Sequence, residues 1–261
     1  MSAIILDGGI VHYEVIGRGR PIIFLHGWVG SWRYWVPAMQ TASTSFRAYA
    51  MDLWGFGDTA RETARYALEQ QIVLLDRFMN ELGMGKVALV GHGMGAMVGL
   101  LFAMRSPASV DRVMAVDMPL EYNAVNARLR TSSINDLTDW LLAKNPATDP
   151  ARVDAVKADP QALAASFLNT EVYNLGSRMP QLKTPCLFVY GQNDPAISVP
   201  NVDPFLMPDT THSILLEQSG HFPMLDEAPI FNRLLIDFLA LESGETPRDL
   251  QLKEEWRRRV R

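Results

Sequence analysis

Val87-Ala-Leu-Val-Gly-His-Gly-Met-Gly-Ala-Met97 has the spacing of a catalytic corner. Val87 to Val90 form an apolar run suited to a short buried strand, and helical spacing follows through Leu100, Leu101 and Met104 to Arg105. A strand turning sharply into a helix, with glycines flanking the corner, lifts its central residue to the top of a sheet as a nucleophile. Gly91 and Gly95 let the strand and helix approach, and the central residue is Gly93. Gly93 offers no hydroxyl, thiol or carboxylate, so the corner has the backbone of a nucleophilic site without the attacking atom. The one thiol, Cys186, lies in the apolar run Cys-Leu-Phe-Val-Tyr and reads as a small buried hydrophobe. A single cysteine also excludes an internal disulfide and a multi-cysteine metal site.

The elements that must position this corner follow from hydrophobic patterning. A chain of 261 residues, 48% hydrophobic and 20% charged, suits one large α/β domain or a core with one insertion. A net charge of -5 lacks the basic face that nucleic-acid binding needs. Ser2–Leu6 has no basic region of a signal peptide and is too short to span a membrane, so a soluble, cytoplasmic protein without a membrane partner is expected.

Strands are predicted at Ala3–Leu6 and Ile10–Ile16, joined by Asp7-Gly8-Gly9, and at Ile22–Leu25, Ala48–Met51, Val87–Val90, Val113–Val116, Cys186–Tyr190 and Ser213–Leu216. Helices are predicted at Leu68–Leu82, after the corner, and at Phe231–Leu241. This alternation predicts an α/β fold: a mostly parallel central sheet with helices on both faces and an antiparallel start. From Met118 to Thr184 the alternation stops; Ser133–Ala143 and segments opened by Asp149-Pro150 and Asp159-Pro160 read as helices. The predicted organisation is a core of 1–117 and 185–242, a helical cap over 118–184, and an amphipathic helical tail over 243–261. Leu252, Trp256 and Val260 form that tail's apolar stripe, and Arg257, Arg258, Arg259 and Arg261 its basic end.

Five motifs in order, His26-Gly27-Trp28, Asp52-Leu-Trp-Gly-Phe-Gly-Asp-Thr59, Gly91-His-Gly-Met-Gly95, Gly191-Gln-Asn-Asp194 and Ser219-Gly-His221-Phe-Pro, end consecutive predicted strands. Over about residues 10 to 242 the chain resembles the α/β-hydrolase superfamily, near its small, cap-bearing ester, C–C-bond and epoxide hydrolases. The resemblance implies that His221 is the catalytic histidine and Asp194 the acid that orients it, with Asp117 as the rival acid. It implies an oxyanion hole from the backbone N–H groups of Trp28 and Met94. His26 is expected to hold its loop by hydrogen bonds, and His92 to point down against neighbouring strands. Gly93 takes the vacant nucleophile position. Trp54, Trp140 and Phe222 are expected around a largely apolar substrate pocket under the cap.

Three functions stay open at this point. One is an enzyme using the His221–Asp194 pair as general base with the oxyanion hole, hydrolase or lyase-like, on a small apolar ester or carbonyl compound. Another is a catalytically silent pseudo-hydrolase that binds a small ligand. The third is a nucleophile knockout of an ordinary serine hydrolase. All three imply a small-molecule partner, no nucleic acid, no cofactor and no metal, in a monomer or homodimer.

Overall fold

The computed structural model describes residues 2–169, 174–201, 207–242 and 245–250. Strands β1 (Ser2–Leu6) and β2 (Gly9–Gly17) form a hairpin in which Leu6 faces Gly9. Asp7 and Gly8 both have positive φ, 50° and 85°, which a two-residue hairpin turn requires. The chain continues through β3 (Arg20–Leu25), α1 (Val36–Ala42), β4 (Phe46–Met51), α2 (Leu68–Glu81), β5 (Val87–His92), α3 (Met94–Arg105) and β6 (Val110–Val116). After a helical insertion come β7 (Cys186–Gly191), β8 (Thr211–Leu216), α8 (Pro223–Asp226) and α9 (Ala228–Ala240).

The sheet has eight strands in the order β1-β2-β4-β3-β5-β6-β7-β8. β1 pairs antiparallel with β2, and β2 antiparallel with β4; every later pairing is parallel. α1 packs with α9, and α2 with α3, so helices cover both faces. This burial on both sides is why β5 carries the continuous apolar run Val87–Val90, and β7 Cys186–Tyr190, rather than an alternating pattern. Cys186 is fully buried there, and burial pushes its thiol pKa up.

The insertion between β6 and β7 carries α4 (Ala127–Thr131), α5 (Ile134–Leu141), α6 (Asp149–Ala155), α7 (Pro160–Ser166) and a 3-10 segment at Gly176–Gln181. Asp154 of α6 ties it to the loop after β3: its carboxylate accepts from Ser31 Oγ and Arg33 Nε, each at 2.8 Å, and pairs with Lys157. The Asp159 amide donates to the Gly55 carbonyl in the loop after β4. These ties draw the insertion over the carboxyl ends of the strands, where open α/β sheets carry their sites.

The α1 segment shows no helical signal in sequence, because its seven residues are too few to display a 3.6-residue period; Pro37 sits in its first turn. Among the described residues of the tail, Pro247–Asp249 forms one 3-10 turn capped by the Thr246 side chain. The apolar and basic stripe beyond it lies outside the described residues. No described helix is long and apolar enough to cross a membrane.

Candidate active site

Gly93 sits between β5 and α3 with φ 50° and ψ -113°. That backbone state strains any residue with a Cβ. Its amide donates to the Val116 carbonyl of β6 at 2.8 Å, locking the corner to the neighbouring strand. A Cβ at Gly91 would lie 2.5 Å from Ala96 N, and one at Gly95 would lie 2.4 Å from the Leu25 carbonyl oxygen. Strand and helix therefore touch backbone to backbone, which explains the flanking glycines. Met94 opens α3, at the end of a helix where amide groups have no intrahelical acceptor.

The space above Gly93 is taken by Trp28. A Cβ at residue 93 would lie 2.8 and 2.9 Å from two carbons of the Trp28 indole. The indole is fully buried. Its Nε1–H donates to Ser166 Oγ at 2.9 Å, and its ring stacks on Phe167 at 5.2 Å with 19° between planes. A loop residue of the core is thus held from above by the insertion.

His221 Nδ1 lies 2.8 Å from Asp194 Oδ2, and both side chains are buried. Asp194 Oδ1 accepts the Ala196 amide at 2.7 Å, which fixes the carboxylate. His221 Nε2 is buried without a hydrogen-bond partner among the described residues. Asp117 also reaches this cluster, but its Oδ1 accepts the Gly191 amide at 2.9 Å and its Oδ2 is buried and unpartnered. Asp194, not Asp117, is the acid hydrogen-bonded to His221. Asp117 itself holds φ 42°, a strained value for a residue with a Cβ.

His92 departs from the expected downward orientation. Its ring lies 4.6 Å from that of His221 and 5.0 Å from Phe222, and its Nδ1 is 3.0 Å from Tyr34 Oη. Tyr34 Oη also accepts the Gly27 amide at 2.6 Å. That phenol joins the loop after β3 to the base of the histidine cluster. His26 holds the same loop: its Nε2 accepts the Leu53 amide and its Nδ1–H donates to the Gly27 carbonyl. His92, Asp117 and His221 each offer a ligand atom within 4.8 Å of the other two, as do His12, Asp52 and Asp58. In the second group His12 Nδ1 is already bonded to Asp52 Oδ2 at 2.9 Å.

Burial, reinforced by the neighbouring Asp194 charge, holds the Asp117 carboxyl well above its ordinary range. Burial, with His221 beside it, holds His92 well below its ordinary value, and His26 is lowered by burial too. The two groups act on stability in opposite directions. The raised Asp117 pKa gives stability that is full below its unfolded value of 3.8 and is lost as pH rises through the folded one. The lowered histidine values give stability present above 6.5 and lost as pH falls. Asp117→Asn keeps an oxygen for the Gly191 amide and cannot ionise. Its melting temperature, relative to the parent, should rise between pH 4 and pH 8. A flat difference in paired melting curves would mean that folding leaves the Asp117 carboxyl unshifted, and a falling one that the folded protein stabilises its ionised form.

The other expected pocket residues scatter. Phe222 lies edge-on to Tyr34 and His221 and supports the histidine cluster from its side. Trp140 is half-buried in the insertion under the Arg128 guanidinium. Trp54 lies against Gly9 and under Arg65, so its ring serves the β2 side of the core and not the His221 cluster. An apolar cavity of about 210 Å³ lies along β7 and β8, lined by Leu120, Phe188, Tyr190 and His212 among others, without a member of that cluster. Tyr34 and Ser166 escape a reading of the sequence, because single hydroxyls in aromatic or alanine-rich stretches carry no spacing signal.

Several known proteins resemble this chain in sequence or in fold. The chain is 24% identical to 2-hydroxy-6-oxo-6-(2'-aminophenyl)hexa-2,4-dienoic acid hydrolase of Metapseudomonas resinovorans, over 92% of this chain and 91% of that one. It is 25% identical to epoxide hydrolase 4 of Homo sapiens, over 92% of this chain and 78% of the relative. Among solved structures, a hydrolase from Pseudomonas aeruginosa superposes with a TM-score of 0.79 at 16% identity, covering 92% of this chain and 98% of the other. The enol-lactonase of Burkholderia xenovorans gives 0.75 at 19% identity, covering 92% and 100%. Residues 22–233 match the alpha/beta hydrolase family, and with the parallel sheet, the helical insertion and the strand-end cluster in place the chain belongs to that family.

Proposed function

We propose that this protein is a hydrolase or lyase-like enzyme acting on a small, largely apolar ester or carbonyl compound, with His221 as general base and no covalent step at residue 93. The observation that carries the reading is the buried His221–Asp194 pair at 2.8 Å, whose outward nitrogen, Nε2, has no described partner. Burying such a pair costs desolvation, and a base with one nitrogen fixed and the other unengaged is suited to taking a proton from water or substrate. The Trp28 and Met94 backbone amides, in this reading, receive the oxyanion, since main-chain donors survive the absence of a serine. The relatives' hydrolase names agree with this class of chemistry.

The packing of Trp28 speaks against a simple nucleophile knockout, because an unaltered serine site would keep room for the side chain. The same packing favours a second reading, a silent pseudo-hydrolase in which the indole never leaves Gly93. Fluorophosphonate labelling followed by intact-mass spectrometry bears on both readings. No stoichiometric adduct is expected on any residue of the protein. A one-to-one phosphonyl adduct would reveal a nucleophile and end the non-covalent account.

A further inference from the structure

The indole over Gly93 is bounded in a way that describes a ligand. One side faces Gly93, whose Cβ position would lie 2.8 Å from the ring. The Phe167 ring stacks nearly parallel to the indole. Its polar end meets Ser166 Oγ. Ser166 spends its own proton on the Leu163 carbonyl at 2.7 Å, so toward this slot its oxygen can only accept. In the function proposed above, a carbonyl held at residue 93 has to enter space that the indole fills.

We propose that the Trp28 indole is an internal occupant of a substrate slot, and that the ligand displacing it is a flat, indole-sized aromatic with an N–H or O–H donor at its edge. The incoming ring takes over the stack on Phe167 and the hydrogen bond to Ser166, which offsets much of the cost of moving Trp28. Trp28 then sets specificity: a ligand without a flat face or without the donor cannot replace what it removes. This names the substrate class for the function proposed above and rests on that reading for turnover, not for binding.

The test uses the intact protein labelled with 15N-tryptophan, with the Trp28 Nε1–H signal identified by its loss in Trp28→Phe. Indole and benzofuran, equal in shape but with and without the N–H donor, are titrated separately. Indole is expected to bind saturably and to shift the Trp28 signal, and benzofuran to bind about tenfold more weakly. Ser166→Ala should shrink that preference to roughly threefold or less. Trp28→Leu should bind indole about tenfold or more tightly than the parent, because no internal occupant has to leave. An unmoved Trp28 signal at saturating indole, no binding, or equal binding of the two probes overturns the proposal. Turnover by the parent, measured beside its indole binding, separates this inference from the enzymatic reading. Indole binding kept in a parent that turns over no substrate would sink the enzyme and leave the slot. Turnover in a parent whose Trp28 never moves would do the reverse.

Discussion

Gly93→Ser is expected to melt below the parent and to gain esterase activity on small p-nitrophenyl esters, and Gly93→Ser/Trp28→Leu to gain considerably more. Glycine holds φ 50° without penalty, whereas serine there costs about 1–3 kcal/mol of backbone strain. The serine Cβ also meets the Trp28 ring at 2.8 Å, and overpacking of this kind costs roughly another 1–3 kcal/mol. In return the hydroxyl enters a site with a His–Asp pair already in place. Loss of the nucleophile from a working triad typically costs a factor of about 10⁶ in turnover. Recovery of even a small part of that gives the double variant at least about a hundredfold over the parent. The single variant must hold the indole aside, and a penalty of about 1.4 kcal/mol or more leaves it about tenfold or further behind the double. Initial rates of the three proteins decide the matter. Equal gains in single and double variants would show that Trp28 does not obstruct residue 93. No gain in either would remove His221, Asp194 or the two amides from the proposed machinery.

Gly95→Ala should be among the most damaging single methyl additions in the core. The new Cβ would lie 2.4 Å from the Leu25 carbonyl oxygen and 2.5 Å from that of His26, both main-chain atoms that no rotamer change can move. β3 and α3 would have to separate, at a cost of roughly 3 kcal/mol or more. For a chain of this size that lowers the melting temperature by about 6–12 °C. Gly99→Ala is the matched control one helical turn on, where the nearest atoms lie 3.6 Å away on the Leu25 and Leu89 side chains. It should leave the melting temperature nearly unchanged or raise it slightly, since alanine favours a helix over glycine. Similar melting of the two variants would contradict the close approach at the corner.

Much of this architecture was legible from the sequence for physical reasons. Strands buried on both faces, such as Cys186–Tyr190, leave continuous apolar runs. Helix α2 leaves a 3.6-residue period, ended by Gly83 at φ 60°. The corner was legible because its flanking glycines, Gly91 and Gly95, answer to backbone contacts that leave no room for a Cβ. What escaped depends on side chains from distant segments meeting. Trp28 and Ser166 are 138 residues apart, and nothing local to either announces their hydrogen bond. Trp54 was expected near the substrate because an aromatic residue close to a strand end can face either the site or the core. Its contact with Gly9 and Arg65 resolves that choice only in three dimensions. Asp117 and Asp194 each end a strand, and only the 2.8 Å bond to His221 separates their roles geometrically.

The central claim is that His221 acts as a general base without a covalent partner. Turnover of indoxyl butyrate, an ester whose flat ring carries the N–H donor, by the parent and by His221→Ala, compared at equal protein concentration with intact-mass monitoring, tests it most directly. General-base catalysis predicts a loss of about 10²–10⁴-fold in the variant, with the parent's mass unchanged during turnover. Equal rates in the two proteins, or a parent that accumulates a butyryl adduct, would contradict it.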